Sequence, residues 1–141
     1  MRLLHVPRAH TDGDTIVIFD HADVIHTGDL FFHPCYPFID IANGGHIDGM
    51  IAGVEQVLLH CGPGTRIIPG HGPLATVADL EAYLAMLKQF RAAMAEQIAA
   101  GKDLAQIQQA GATAGLDEIW GGTCFTGEQF TEIVVRSLQG S

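Results

Sequence analysis

Apolar positions change their period along the chain, and the change divides it into a strand-rich first part and a helical remainder. Arg2 to Val6 is short enough for one strand. Thr15-Ile16-Val17-Ile18-Phe19 is a β-branched and aromatic run between Asp12-Gly13-Asp14 and Asp20, the composition of a buried strand. Asp23 to Thr27 gives another strand, expected to stop at Gly28-Asp29. From there to Gly45 the phenylalanines, Pro34, Pro37 and a glycine pair predict a long shaped loop.

Helical spacing then takes over. Ile47, Met50, Ile51, Val54, Val57, Leu58 and Cys61 form one stripe, which predicts a helix over Ile47 to His60 closed by Gly62-Pro63-Gly64. Arg66-Ile67-Ile68 reads as a brief strand, and Pro69-Gly70-His71-Gly72-Pro73 as a turn-rich loop after it. Thr76 can cap a long helix with Asp79 in its first turn. Leu80, Tyr83, Leu84, Leu87, Phe90, Met94 and Ile98 mark its buried face, with the stem of Arg91 beside them, and Gly101 should end it. Leu104 to Ala110 suggests a shorter helix. A last helix should start at Thr126, with Gln129 completing a capping box and Phe130, Ile133, Val134 and Leu138 buried. Trp120 could anchor a late loop against the core. The order of strands, helix, strand and helices predicts an α/β protein whose helices cover one side of a mixed sheet.

Composition leaves two descriptions open. At 141 residues, 48% hydrophobic and 16% charged, the chain can build one core. The same figures suit a domain whose apolar face meets a partner. A net charge of -9 argues against nucleic-acid binding through a basic surface. No apolar run is long enough for a membrane span, and no secretory leader is evident. Cys35, Cys61 and Cys124 form neither a CxxC pair nor a small disulfide scaffold. They leave the compartment unassigned, with cytoplasmic as the default expectation.

Charge distribution is more informative than its sum. No Lys or Arg occurs from Ala9 through Thr65, a stretch holding seven Asp, one Glu and six of the eight His. Imidazoles and carboxylates without competing cations suit metal coordination. His10 precedes a strand, while Asp29 and His71 each follow one, and loops at strand ends are where α/β proteins gather functional groups. Any one of them alone could equally be a surface or loop-stabilising residue. A Gly-x-Ser-x-Gly elbow and a phosphate loop with Lys are both absent.

The strings HTDGDTIVIF, VIHTGDLFF, FIDIANGGHIDGMI and IIPGHGPL, in that order and followed by a long helix, resemble the metallo-beta-lactamase-fold hydrolases. The resemblance implies half of a four-layer αββα sandwich, with residues 1–141 as its carboxy-terminal half. It implies a metal-activated water attacking an ester, thioester, lactam or phosphoester. Two zinc ions are expected in the complete domain, with iron or manganese also compatible. By the resemblance, His10 and His71 are each a ligand of one ion, and Asp29 is the catalytic carboxylate bridging both. Asp12 and Asp14 are candidates to orient His10, and His33 and His46 candidates to face substrate.

The family's His-x-His-x-Asp-His motif does not occur in this chain. Three protein ligands then stand where the full pair of sites expects seven. Two expectations follow. The parent is a metal-dependent hydrolase acting on a small molecule, with this chain weak or inactive alone. Alternatively, the chain is a half-domain that associates through an open sheet face, with a second copy or with a complementing amino-terminal half.

Overall fold

A computed structural model describes residues 1–140. Four strands form one sheet in the order β1 (Arg2–Val6), β2 (Asp14–Phe19), β3 (Val24–Phe32), β4 (Arg66–His71). The first three pair antiparallel, β1 and β2 through the loop of residues 7–13 and β2 and β3 through a short turn, and β4 joins β3 in parallel. Between β3 and β4 runs helix α1 (Ile47–Leu58), and α2 (Val77–Ala99), α3 (Leu104–Gln109), α4 (Asp117–Trp120) and α5 (Gly127–Gln139) follow. This is the expected mixed sheet with its helices on one side.

The two sheet faces differ as the alternating pleat requires. Ile16, Ile18, Ile25 and Ile67 point to the helices and are buried. They pack with Met50, Val54 and Val57 of α1, with Leu80, Tyr83, Leu87 and Phe90 of α2, and with Phe130 and Val134 of α5. Among the described residues, no helix packs on the other face. Register places Leu3 beside Val17, Val17 beside His26, and His26 beside Ile68, a row across all four strands. Leu3 is 60% exposed and Phe19, on the same face, is 38% exposed. Apolar side chains thus occupy the uncovered face as well as the covered one.

Two strands run further than their composition suggests. β3 continues through Gly28 and Asp29 to Phe32, and β4 continues through Pro69 and Gly70 to His71. Gly28 takes φ +55 and the β3–β4 register shifts on both sides of it. That irregularity lets a strand pass a position where turn residues predicted a stop. Helix ends lie close to expectation: α1 stops at Leu58 instead of His60, and α3 at Gln109 instead of Ala110. Capping boxes form at Thr76–Asp79, Asp103–Gln106 and Thr126–Gln129, each satisfying amides the helix leaves open. Trp120 is buried, as an anchor should be, but on the single turn of α4.

Cys35 and Cys124 are joined by a disulfide, tying the segment after β3 to the segment before α5. Cys61 is free. Among the described residues, no helix is long and apolar enough to cross a membrane.

Candidate metal centre

Three polar side chains meet at one end of the sheet. Asp29 stands on the late, irregular part of β3, His71 ends β4 beside it, and His10 comes from the loop before β2. Asp29 Oδ2 lies 3.3 Å from His10 Nε2, and Asp29 Oδ1 lies 3.3 Å from His71 Nε2. One carboxylate thus faces two imidazoles, one through each oxygen. They line a cleft of about 500 Å³ together with Phe32, Phe38, Thr123, Cys124 and Phe125.

Local sequence explains how each group is held. His10 Nδ1 donates to the Phe38 carbonyl at 2.8 Å, and the His10 carbonyl accepts from Asp40 N–H, also at 2.8 Å. A backbone carbonyl can only accept, so a hydrogen sits on Nδ1, and in the neutral imidazole the Nε2 lone pair faces the cleft. The His71 ring stacks on Phe32, centroids 4.6 Å apart, and the His71 carbonyl accepts from His33 N–H at 2.9 Å. Gly70 makes room for Asp29: a Cβ there would collide with the Asp29 carboxylate and approach the Gly28 carbonyl to 2.7 Å. Gly72 combines φ +104 with close packing against the His33 carbonyl, so no larger residue fits that turn.

The donor set fits a cation. In its neutral form His10 turns a lone pair toward a carboxylate oxygen, and two acceptors at that distance repel. A metal ion held by both groups would remove the conflict, and imidazole with carboxylate is a normal zinc or iron donor set. The set is also partial. Among the described residues, no group of three or more His, Cys, Asp or Glu surrounds one point closely enough to hold an ion. Instead there are two pairs, His10–Asp29 and Asp29–His71, with the carboxylate in common.

The other candidates stand outside this cluster. Asp14 accepts from Thr11 N–H at 2.9 Å, and Asp12 from Arg8 N–H at 3.2 Å, so both carboxylates fasten the loop, and among the described residues neither hydrogen-bonds the His10 ring. His33 does not line the cleft; its Nε2 lies 4.0 Å from the Asp79 carboxylate and its ring packs against Phe31. His46 caps α1, its Nδ1 accepting from Asp48 N–H at 3.1 Å. It borders a separate depression with Arg8, Asp48 and Gly49. Asp40 bonds both the backbone and side chain of Asn43, holding the loop that carries Phe38.

Sequence reasoning missed the wall of the cleft. The Phe38 carbonyl that orients His10 is a backbone group, invisible to a search by residue type. Thr123, Cys124 and Phe125 come from a segment with no metal-ligand spacing, brought here by the disulfide to Cys35 and the stacking of Phe125 on Phe38.

No protein-family model matches the chain, and no curated protein does. Solved structures do. The DIM-1 metallo-beta-lactamase superposes with TM-score 0.52 at 17% identity, covering 62% of this chain and 41% of that one. The BLEG-1 B3 metallo-beta-lactamase gives TM-score 0.51 at 24% identity, covering 60% and 40%. A di-iron-bound form of TTHA1623 is 30% identical with TM-score 0.49, covering 57% and 39%. This chain therefore spans well under half the length of the structures it matches. Identities below a quarter speak to the fold, and on that ground these residues form part of a metallo-beta-lactamase fold.

Proposed function

We propose that this chain is the carboxy-terminal half of a metal-dependent hydrolase domain, and that His10, Asp29 and His71 are its contribution to a dinuclear centre. The observation that carries this is the shared carboxylate. Asp29 offers one oxygen to each imidazole at 3.3 Å, the arrangement expected of a bridge with one terminal ligand on either side. The similar structures include proteins described as metallo-beta-lactamases and one described as di-iron-bound, which agrees with a metal centre in general. Zinc is the ion we favour, because its common ligands are these residue types. A bound ion would supply an activated water for attack on an ester, thioester, lactam or phosphoester.

The chain's own residues do the positioning. The Phe38 carbonyl fixes the His10 tautomer and ring direction. Phe32 holds the His71 ring flat against β3. Gly70 keeps the Asp29 carboxylate between the two imidazoles. The remaining ligands, and much of the substrate pocket, would come from a half carrying the His-x-His-x-Asp-His motif.

Zinc titration of the purified chain by calorimetry tests the reading. Binding should be weaker than at a closed four-ligand site and should weaken further in both His71→Ala and Asp29→Ala. Zinc binding that survives both substitutions unchanged, or a folded chain that takes up none, overturns it.

A second reading rests on the uncovered sheet face. Leu3, Val17, His26 and Ile68 form a continuous row there, suited to pairing with another sheet. The occupant would be a second copy or the complementing half. Such association is compatible with the hydrolase reading and is tested separately by the mass of the chain in solution.

A further inference from the structure

The cleft beside His10, Asp29 and His71 is walled by carbon. Phe32 lies under the His71 ring. Phe38 is set edge-on to His10 with ring centroids 5.9 Å apart, and it stacks on Phe125 at 5.6 Å. Phe38 keeps 37% of its surface exposed although it stands in a concave site. An aromatic surface left open beside polar groups is the usual makeup of a small-molecule pocket.

Charge in the cleft is equally one-sided. Among the described residues, neither Lys nor Arg lines it, and Asp29 is the one carboxylate in its lining. The cations of this chain are engaged or elsewhere. Arg2 pairs with Asp20, Arg91 with Asp48, Lys88 with Glu55 and Arg136 with Glu132, and Lys102 donates to the Gln97 side chain. Arg66 begins β4, at the opposite end from His71. Arg8 borders the separate depression with His46. An anionic substituent entering between Phe38 and Phe125 would lose water and meet no Lys or Arg side chain of the cleft lining, which is costly. An uncharged one would gain aromatic contact.

The wall is also fixed in place. Backbone groups of residues 122–125 make no hydrogen bond among the described residues. Their position depends on the Cys35–Cys124 disulfide and on the stacking of Phe125 on Phe38.

We propose that Phe38 and Phe125 form a specificity subsite that accepts an uncharged aryl or alkyl group flanking the scissile bond of the substrate. This rests on the hydrolase reading above and narrows it. Esters, thioesters or amides with an apolar substituent fit the subsite, and substrates that would place a phosphate or carboxylate there do not.

Heteronuclear NMR titration of the chelator-treated, metal-free chain tests the subsite without reference to metal. The probes are N-benzylacetamide, which is neutral, and phenyl phosphate, which is anionic. Saturable shifts at the amides of Phe38, Thr123 and Phe125 are expected with the neutral probe, and binding about tenfold weaker with the anionic one. Phe125→Ala should weaken the neutral probe about fivefold, the scale of one aromatic contact. Leu59→Ala, at the exposed end of α1, should leave it unchanged. Equal binding of both probes, no saturable shift at those amides, or insensitivity to Phe125→Ala each overturns the proposal. Because no metal is present, failure here leaves the zinc titration to judge the metal centre independently.

Discussion

His10 Nδ1 sits 2.8 Å from the Phe38 carbonyl oxygen, across 28 residues of sequence. That one bond sets the tautomer of a candidate ligand and couples it to the aromatic wall of the cleft. The chain segment that aims the imidazole lone pair is therefore the segment that borders the substrate space. Movement of Phe38 would disturb both at once.

Asp29 should be the most sensitive position for metal binding. Asp29→Ala removes the one group common to both histidine pairs. Zinc affinity should fall by about tenfold or more, the range seen when a ligand's environment is broken. Asp29→Asn keeps the shape and one acceptor oxygen but loses the charge, so it should fall between. Competition with a zinc-binding dye measures all three proteins. Equal affinities would remove Asp29 from the centre.

Gly70→Ala tests whether the carboxylate is held by lack of space. The added methyl would displace the Asp29 carboxylate and crowd the Gly28 backbone. Overpacking of this kind costs about 1–3 kcal/mol, readable as a lower urea midpoint for the metal-free chain. Zinc binding should weaken as well. A stable variant with unchanged zinc affinity would mean that the two strands part easily and that Gly70 has no positioning role.

Alkaline pH should unfold the chain through two tyrosines. Burial pushes the Tyr36 phenol up, and the Asp117 carboxylate that accepts its hydrogen at 2.8 Å adds to the shift. Burial also raises Tyr83 well above the ordinary 10.0. Both groups are raised in the folded state, so their contribution is fully present below pH 10.0 and is lost as pH rises beyond it. Stability should be flat from neutral pH to about 9 and then fall. Tyr36→Phe should flatten part of that fall. At neutral pH the same variant should cost about 1–3 kcal/mol, since Asp117 then keeps only its bond from Thr113. Denaturant midpoints across pH check both statements.

What could be read from sequence follows the range of the interactions. Helix starts were legible because a capping box is written in four residues, and Thr76–Asp79 and Thr126–Gln129 both form. His10, Asp29 and His71 were legible as strand-end residues within ordered motifs, and they do converge. The extension of β3 past Gly28 was not, because a glycine and an aspartate read as a stop unless a bulge absorbs them. His33 and His46 drew attention by type, yet one faces Asp79 and the other caps a helix. The Cys35–Cys124 link spans 89 residues, and nothing local announces it. The Tyr36–Asp117 bond spans 81 residues and is equally silent. Long-range pairs of this kind depend on how the helices fold back over the sheet.

Val17 offers the sharpest test of the uncovered face. It sits at the middle of the row, with Leu3 on one side and His26 on the other, and its side chain points away from the helices. A sheet face that meets only water normally carries polar residues in alternation with its buried ones. Here Leu3, Val17, Phe19, Val24 and Ile68 share that face, with Phe19 opposite Val24. Val17→Glu places a charge at the centre while leaving the helix-side core untouched. If the face is an interface, the unaltered chain should sediment above its 15.1 kDa monomer mass at micromolar concentration, or bind a half carrying the absent histidine motif. The variant should sediment as a monomer and lose that binding, with its far-ultraviolet spectrum unchanged. An unaltered chain that stays monomeric and ignores the complementing half, with the variant behaving identically, would mean that the open face takes no partner sheet.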